Sequence, residues 1–195
     1  MAKRAHYLGV DGFRHGWVAV CVDDSGVVGS GCYEDFGALM KAHADAAVIG
    51  VDIPIGLRDD GGRLAEGAAR AFLRGRASSV FNAPARPVLQ ATTYQEAAAI
   101  SVRASGKSMS RQSFGILAKI REVDAFAGNP RVYEVHPEVS FQLMAGGPLA
   151  HSKKTWGGLQ ARLSLLRKHG VGLRKSLGAA DAVGIDDVVD AGAAA

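Results

Sequence analysis

Five acidic side chains lie where the sequence pattern places the end of a strand or one face of a helix: Asp11, Asp52, Glu134, Asp187 and Asp190. Asp11 and Asp52 each follow an apolar, strand-like run, and the carboxyl ends of neighbouring parallel strands meet at one edge of a sheet. Asp187 and Asp190 are spaced by one helical turn on the predicted last helix and therefore share a face. The pattern predicts that several of these carboxylates converge.

Converging carboxylates are suited to hard divalent cations. Mg²⁺ and Mn²⁺ prefer several oxygen ligands, and two such ions about 3.5–4 Å apart can activate water and stabilise the leaving oxygen of a phosphodiester. Each acid also has an ordinary structural explanation, because an aspartate at a strand end or helix start is often a turn or cap residue. Glu134 can equally pair with an arginine. The metal-site hypothesis therefore depends on the whole set.

A histidine accompanies the acids in the segment EVHPE, where His136 lies between Glu134 and Glu138. A single histidine beside a strand end is usually structural, but one flanked by acids can also transfer a proton or bind a metal. The candidate catalytic residues are thus Asp11, Asp52, Glu134, His136 and Asp187, and the candidate metal ligands are Asp11, Asp52, Glu134, Asp187 and Asp190.

The elements that must position these acids follow the order β-β-β-α-β. Residues 6–11, 17–22 and 27–33 are predicted as three consecutive antiparallel strands, separated by glycine-containing turns. A short helix then precedes an apolar run at 47–51. An apolar strand that follows a helix is typical of a buried strand parallel to the first. We therefore expect a mixed sheet flanked by helices, of the α/β class.

The remaining pattern is mainly helical. It predicts a helix near 62–74 within a long loop, a helix opened by the capping box at Thr93, one helix carrying Phe114, Leu117, Ile120 and Val123, a short strand at 131–135, and helices opening at Pro137, Thr155 and Asp186. We interpret residues 1–195 as a single domain whose helical insertion, at approximately 57–130, follows the fourth strand.

Composition limits the function classes without choosing among them. The formal net charge of +4 and the 48% hydrophobic content are those of an ordinary globular chain, so a polyanionic partner such as nucleic acid is permitted but not required. Six arginines against three acids lie between Arg58 and Arg86, which could follow a phosphate backbone or form a solvated surface. No signal peptide or membrane span is visible. Cys21 and Cys32 fall in predicted strands, and we expect reduced thiols in a cytoplasmic protein.

Seven collinear motifs resemble one known family. They read GVDGFRHGWVAV (9–20), VDIPIGL (51–57), GRASSVFNAPARPV (75–88), QSFGILAKIREVD (112–124), EVHPEVSF (134–141), SKKTWGG (152–158) and DDVVDAGAAA (186–195). The sequence resembles domain of unknown function family 429, a family of predicted ribonuclease H-like nucleases. The resemblance implies a ribonuclease H-like fold and acidic positions at Asp11, Asp52 and either Asp187 or Asp190.

The chain departs from the familiar ribonuclease H pattern in its first helix. That helix has no clear acidic residue unless Glu34 or Asp35, just before it, takes the place. The missing ligand must then come from elsewhere in the chain, and Glu134 is our candidate.

The GRASSVFNAPARPV segment is rich in groups that bind phosphate. Guanidinium, hydroxyl and amide donors suit phosphate oxygens, although the same groups can simply hold a loop together by its own hydrogen bonds. With two lysines from neighbouring motifs, the candidate substrate-binding residues are Arg76, Ser78, Ser79, Arg86, Lys119 and Lys153.

The sequence supports three functional hypotheses. The first is a nuclease or phosphodiesterase that depends on Mg²⁺ or Mn²⁺ and acts on nucleic acid. The second is a phosphate- or nucleotide-binding enzyme of the actin and sugar-kinase type, suggested by Asp11-Gly12 and Gly16 between two strands but opposed by Pro54 where a second glycine-rich turn is expected. The third is a binding module with a degenerate site.

Overall fold

The computed structural model describes residues 5–60 and 62–195, and five strands form one open mixed sheet. The strands are β1 (Tyr7–Phe13), β2 (Gly16–Asp23), β3 (Gly26–Tyr33), β4 (Val48–Val51) and β5 (Val132–Glu134). Their order across the sheet is β3-β2-β1-β4-β5. The first three strands are antiparallel, and β4 and β5 run parallel to β1. The predicted α/β class and mixed sheet are confirmed.

Helices flank the strands along the described part of the chain. They are α1 (Phe36–Ala42), α2 (Leu64–Leu73), α3 (Tyr94–Ser105), α4 (Arg111–Gly115), α5 (Leu117–Asp124), α6 (Pro137–Ala145), α7 (Trp156–Lys168) and α8 (Ile185–Ala194). Among the described residues, none of these helices combines the length and apolar character that crossing a membrane requires. Cys21 and Cys32 are free thiols.

The chain forms two compact units. The first comprises the residues up to Ile53 together with Gly128–Ala195, and it holds the whole sheet with α1, α6, α7 and α8. The second comprises Pro54–Ala127 and holds α2 to α5. It occupies nearly the span that the sequence assigns to an insertion.

Alternation along β1 separates two environments. Leu8 and Val10 are fully buried on one face of the sheet. Gly9 and Asp11 point to the other face, because successive side chains in a strand alternate. This second face is covered by α8, whose Val188 and Ala191 pack with Val18 and other valines of the adjacent strand. Asp11 thus shares a face with the last helix of the chain.

Two paired glycines allow α8 to approach the sheet closely. Gly9 of β1 lies opposite Gly50 of β4. A Cβ atom at Gly9 would lie 1.9 Å from the carbonyl oxygen of Ala191, and one at Gly50 would lie 2.4 Å from that of Ala194. Because Gly9 and Gly50 stand two residues before Asp11 and Asp52, the close approach places α8 directly beside both acids.

Gly9→Ala is expected to destabilise the fold strongly. The added methyl group meets helix backbone, which cannot rotate away as a side chain can, and overpacking of this kind costs about 1–3 kcal/mol or more. We expect the melting temperature to fall by about 4–8 °C for a 2 kcal/mol loss. Gly29→Ala is the matched control, because a Cβ atom there meets only Cys21 Cβ at 3.9 Å. Equal melting temperatures for the two variants would contradict the close packing of α8.

Two predicted helices differ in detail from those observed. The single helix predicted through Phe114 and Val123 is wrong, because the structure ends α4 at Gly115 and begins α5 at Leu117. Glycine is a weak helix former, and Ile116 between the two helices has ψ of 1° rather than a helical value. The last helix begins at Ile185 with Gly184 as its N-cap, so Asp186 lies in the first turn rather than capping it.

Candidate metal centre

Three aspartates meet at the carboxyl ends of β1 and β4. One carboxylate oxygen from each of Asp11, Asp52 and Asp190 lies within 4.8 Å of the other two. This separation is about twice a metal–oxygen bond of roughly 2.0–2.6 Å, so one divalent ion can contact all three. We call Asp11, Asp52 and Asp190 the aspartate trio.

The local structure fixes each member of the trio differently. Asp11 Oδ1 accepts a hydrogen bond from the backbone N–H of Gly12 at 2.6 Å. The backbone N–H of Asp52 donates to Val10 O at 3.1 Å, which holds the end of β4 against β1. Asp190 is 3% exposed on α8, and its Oδ1 atom accepts no hydrogen bond from any residue that the structure describes. A buried carboxylate oxygen without a donor is costly unless a cation completes its surroundings.

The electrostatics of the trio show the cost of gathering three acids. Burial and the charges of Asp52, Asp190 and Asp187 raise the pKa of Asp11 to about 9. Burial and the charge of Asp190 raise the pKa of Asp52 to about 7, although Lys153 acts in the opposite direction. Burial also raises the pKa of Asp190. The protein alone therefore does not compensate the three carboxylates in full, and a cation would favour their ionised forms.

Lys153 supplies one positive charge to the trio. Its Nζ atom donates a hydrogen bond to Asp190 Oδ2. Burial disfavours the charged ammonium, but the charges of Asp190, Asp186 and Asp11 outweigh it and the pKa of Lys153 is raised. The sequence indicated Lys153 as a phosphate contact, and the structure places it against a candidate metal ligand.

Lys153→Met is expected to lower stability in chelator and to increase the stabilisation by Mn²⁺. Without the ammonium, Asp190 Oδ2 loses its donor, and a buried polar group left unpaired costs about 1–3 kcal/mol. A bound divalent ion then restores the missing positive charge. Thermal melting with chelator and with Mn²⁺ measures both effects. Lys154→Met is the control, because Lys154 directly follows Lys153 in the sequence and its side chain is exposed. An Mn²⁺ shift equal to that of the parent would contradict this role of Lys153.

The other predicted acids lie around the trio. Asp187, in the first turn of α8, raises the pKa of Asp11 by its charge, and Glu134 at the exposed end of β5 does the same to Asp52.

Asp35 is the N-cap of α1 and accepts a hydrogen bond from the backbone N–H of Ala38. His136 directly precedes α6 as its N-cap residue. In the structure, the third carboxylate of the trio is that of Asp190.

The predicted phosphate-binding segment belongs to the second unit. Its short 3-10 helices span Arg74–Ser79 and Arg86–Gln90. Ser79 Oγ donates to Arg76 O at 2.8 Å, and Arg86 Nη1 lies 2.7 Å from Asp124 Oδ2. These contacts show how the segment holds itself together. Substrate binding by Arg76, Ser78, Ser79, Arg86 and Lys119 stays a prediction.

Comparison with known protein families decides the relationship that the motifs suggested. Residues 9–195 match the family described as "Protein of unknown function (DUF429)". The chain belongs to this family. The resemblance seen in the sequence is thereby confirmed at the level of the family, and the match includes all three residues of the trio. No curated protein and no solved structure matches the chain.

Proposed function

We propose that this chain is a metal-dependent phosphodiester hydrolase with a ribonuclease H-like fold that acts on nucleic acid. The observation that carries the proposal is the aspartate trio, with its buried and unpartnered Asp190 Oδ1 atom. Three carboxylates, two at strand ends and one on α8, stay ionised together only when positive charge compensates them. Oxygen ligands of this kind favour Mg²⁺ or Mn²⁺.

The donor set fits one ion directly and offers ligands for a second. Asp11, Asp52 and Asp190 would hold the first ion, and Asp187 and Glu134 are the candidates to complete a second position. Divalent ions bound there would supply an acidic water and positive charge for the leaving oxygen of a phosphodiester. The carboxylates of the chain would hold the ions and balance their charge, and Lys153 fixes the position of Asp190.

The sheet supports the ribonuclease H-like assignment. An antiparallel meander of β1, β2 and β3 continues through parallel β4 and β5, and the acids stand on the two central neighbours β1 and β4. A site at the carboxyl ends of adjacent parallel strands is the usual location in open α/β sheets. Fold alone does not establish activity, so the proposal depends on the trio.

Cleavage assays test the proposed reaction. We expect single-stranded, duplex or branched nucleic acid to be cut by the parent in Mg²⁺ or Mn²⁺, not in chelator, and not by Asp52→Asn. Asp24→Asn is the control, because Asp24 is an exposed acid in the turn after β2. Cleavage that persists in chelator, or an Asp52→Asn variant as active as the parent, would contradict the proposal.

Assays of the same variants with a nucleoside triphosphate separate the proposed hydrolase from the phosphate- or nucleotide-binding enzyme of the actin and sugar-kinase type. The hairpin from Asp11 to Gly16 is common to both hypotheses. Release or transfer of phosphate from a nucleoside triphosphate, without cleavage of any phosphodiester, would favour the phosphate-binding enzyme. Metal binding without either reaction would favour a degenerate site.

A further inference from the structure

An exposed tryptophan, Trp156, closely follows Lys153 in the sequence. Trp156 is 76% exposed, whereas Trp17, the other tryptophan of the sequence, is fully buried. Trp156 is the third residue after Lys153, so their Cα atoms lie at most about 11 Å apart. Because Lys153 contacts Asp190, the segment that leads to Trp156 starts beside a residue of the candidate metal centre.

The turn that carries Trp156 is firmly built. Ser152 O accepts hydrogen bonds from the backbone N–H and from the hydroxyl of Thr155, at 3.0 and 2.9 Å. Thr155 Oγ1 accepts one from Gly158 N at 3.2 Å, and a Cβ atom at Gly158 would lie 1.8 Å from Ser152 O. These contacts fix the backbone while leaving the indole in solvent.

A buried ion pair between α6 and α7 also holds this turn in place. Arg162 of α7 is 1% exposed and its Nη2 atom lies 2.5 Å from Glu138 Oε1 of α6. Arg162 Nη1 also donates to Gly158 O at 3.0 Å and to His151 O at 3.3 Å. These contacts hold the backbone that carries the exposed indole, as expected of a binding group rather than of a residue on a mobile loop.

We propose that Trp156 is a stacking platform for an unpaired nucleobase next to the metal centre, so that the chain binds single-stranded nucleic acid. This inference depends on the proposed function for the identity of the ligand. Lys154 is exposed two residues before the indole, and its positive charge suits a polyanionic backbone, whereas an apolar protein surface would gain nothing from it. Stacking on an aromatic ring tolerates any base, because every base has a π-face.

Binding of two oligonucleotides with equal charge tests the stacking platform. One is a thymidine oligonucleotide of about 15 nucleotides, and the other has the same phosphates and sugars but no bases. We expect Trp156→Ala to weaken binding of the thymidine strand about tenfold to a hundredfold and to leave binding of the abasic strand unchanged. Trp156→Phe keeps an aromatic ring and should retain most of the affinity. Leu143→Ala, which removes another exposed apolar side chain, should have no effect.

Tryptophan fluorescence supplies an independent readout. The thymidine strand, but not the abasic strand, should quench the exposed indole, since Trp17 is buried. Equal affinities of parent and Trp156→Ala for the thymidine strand, or no binding of that strand by the parent, overturn the inference. Self-association that disappears in Trp156→Ala while oligonucleotide binding is unchanged also overturns it, in favour of a contact between copies of the chain.

The metal proposal is judged separately on the same samples. Mn²⁺ stabilisation of the parent without base-dependent binding removes the stacking platform and leaves the metal centre. Base-dependent binding without Mn²⁺ stabilisation or cleavage removes the hydrolase and leaves the stacking platform.

Discussion

Asp11→Asn is expected to abolish the stabilisation of the chain by Mn²⁺ while leaving the metal-free protein as stable as the parent or more so. The amide keeps the shape of the carboxyl group but cannot ionise, so it offers no negative charge to a bound cation. In the metal-free fold, burial and three neighbouring acids raise the pKa of Asp11 to about 9, so its ionised form is unfavourable there. Relief of such a cluster commonly increases stability by about 0.5–2 kcal/mol.

Two melting curves on each protein measure both parts of this prediction. With free Mn²⁺ at about 100 times the dissociation constant, the parent should gain about 2.7 kcal/mol, or roughly 5–10 °C, and the variant nothing. Any cleavage should fall by at least about 100-fold, since altering even the groups around metal ligands costs about 10–100-fold. Asp24→Asn should behave as the parent. An unchanged Mn²⁺ shift in Asp11→Asn would place the metal elsewhere.

Arg162→Met is expected to cost about 3–5 kcal/mol of stability. Arg162 is nearly inaccessible and pairs with buried Glu138, so removing the guanidinium takes away the positive partner of a carboxylate in the interior. The ring of Phe141 lies 5.3 Å from the guanidinium carbon and loses that contact too. Urea unfolding measures the loss directly.

Two comparisons separate the buried pair from charge loss in general. Arg58→Met breaks an ion pair whose side chains are 58% and 65% exposed, and such pairs contribute about 0–1 kcal/mol. The double variant Glu138→Leu and Arg162→Met should recover part of the loss, because it removes both buried charges. If Arg162→Met and Arg58→Met were equally stable, the pair would not anchor the turn beneath Trp156.

The sequence was sufficient to predict the strands that carry the site. The alternation and apolar character of the runs ending at Asp11 and Asp52 depend on local chain properties, so they identify the acids at the ends of β1 and β4. The resemblance to the family implied an acidic position on the last helix at Asp187 or Asp190 but did not choose between them. That choice depends on how α8 lies against Gly9, which is a tertiary contact.

The elements around Lys153 and Trp156 illustrate what sequence patterns omit. Thr155 indicated the start of α7 correctly, and the structure shows its side chain accepting from Gly158 N. The contact of Lys153 with Asp190 joins residues far apart in the chain, and the exposure of Trp156 depends on what packs nearby. Glu134 was a reasonable candidate ligand because it lies in the fifth predicted strand, but positions in strands do not reveal which acids converge most closely.

The most direct measurement is anomalous scattering from crystals of the chain grown or soaked in Mn²⁺. We expect one peak that lies within about 2.0–2.6 Å of a carboxylate oxygen of each of Asp11, Asp52 and Asp190. We also expect this peak to disappear in Asp11→Asn crystals treated identically. Well-ordered trio side chains with no peak between them at saturating Mn²⁺, or Mn²⁺ bound only elsewhere, would contradict the metal centre on which the account depends.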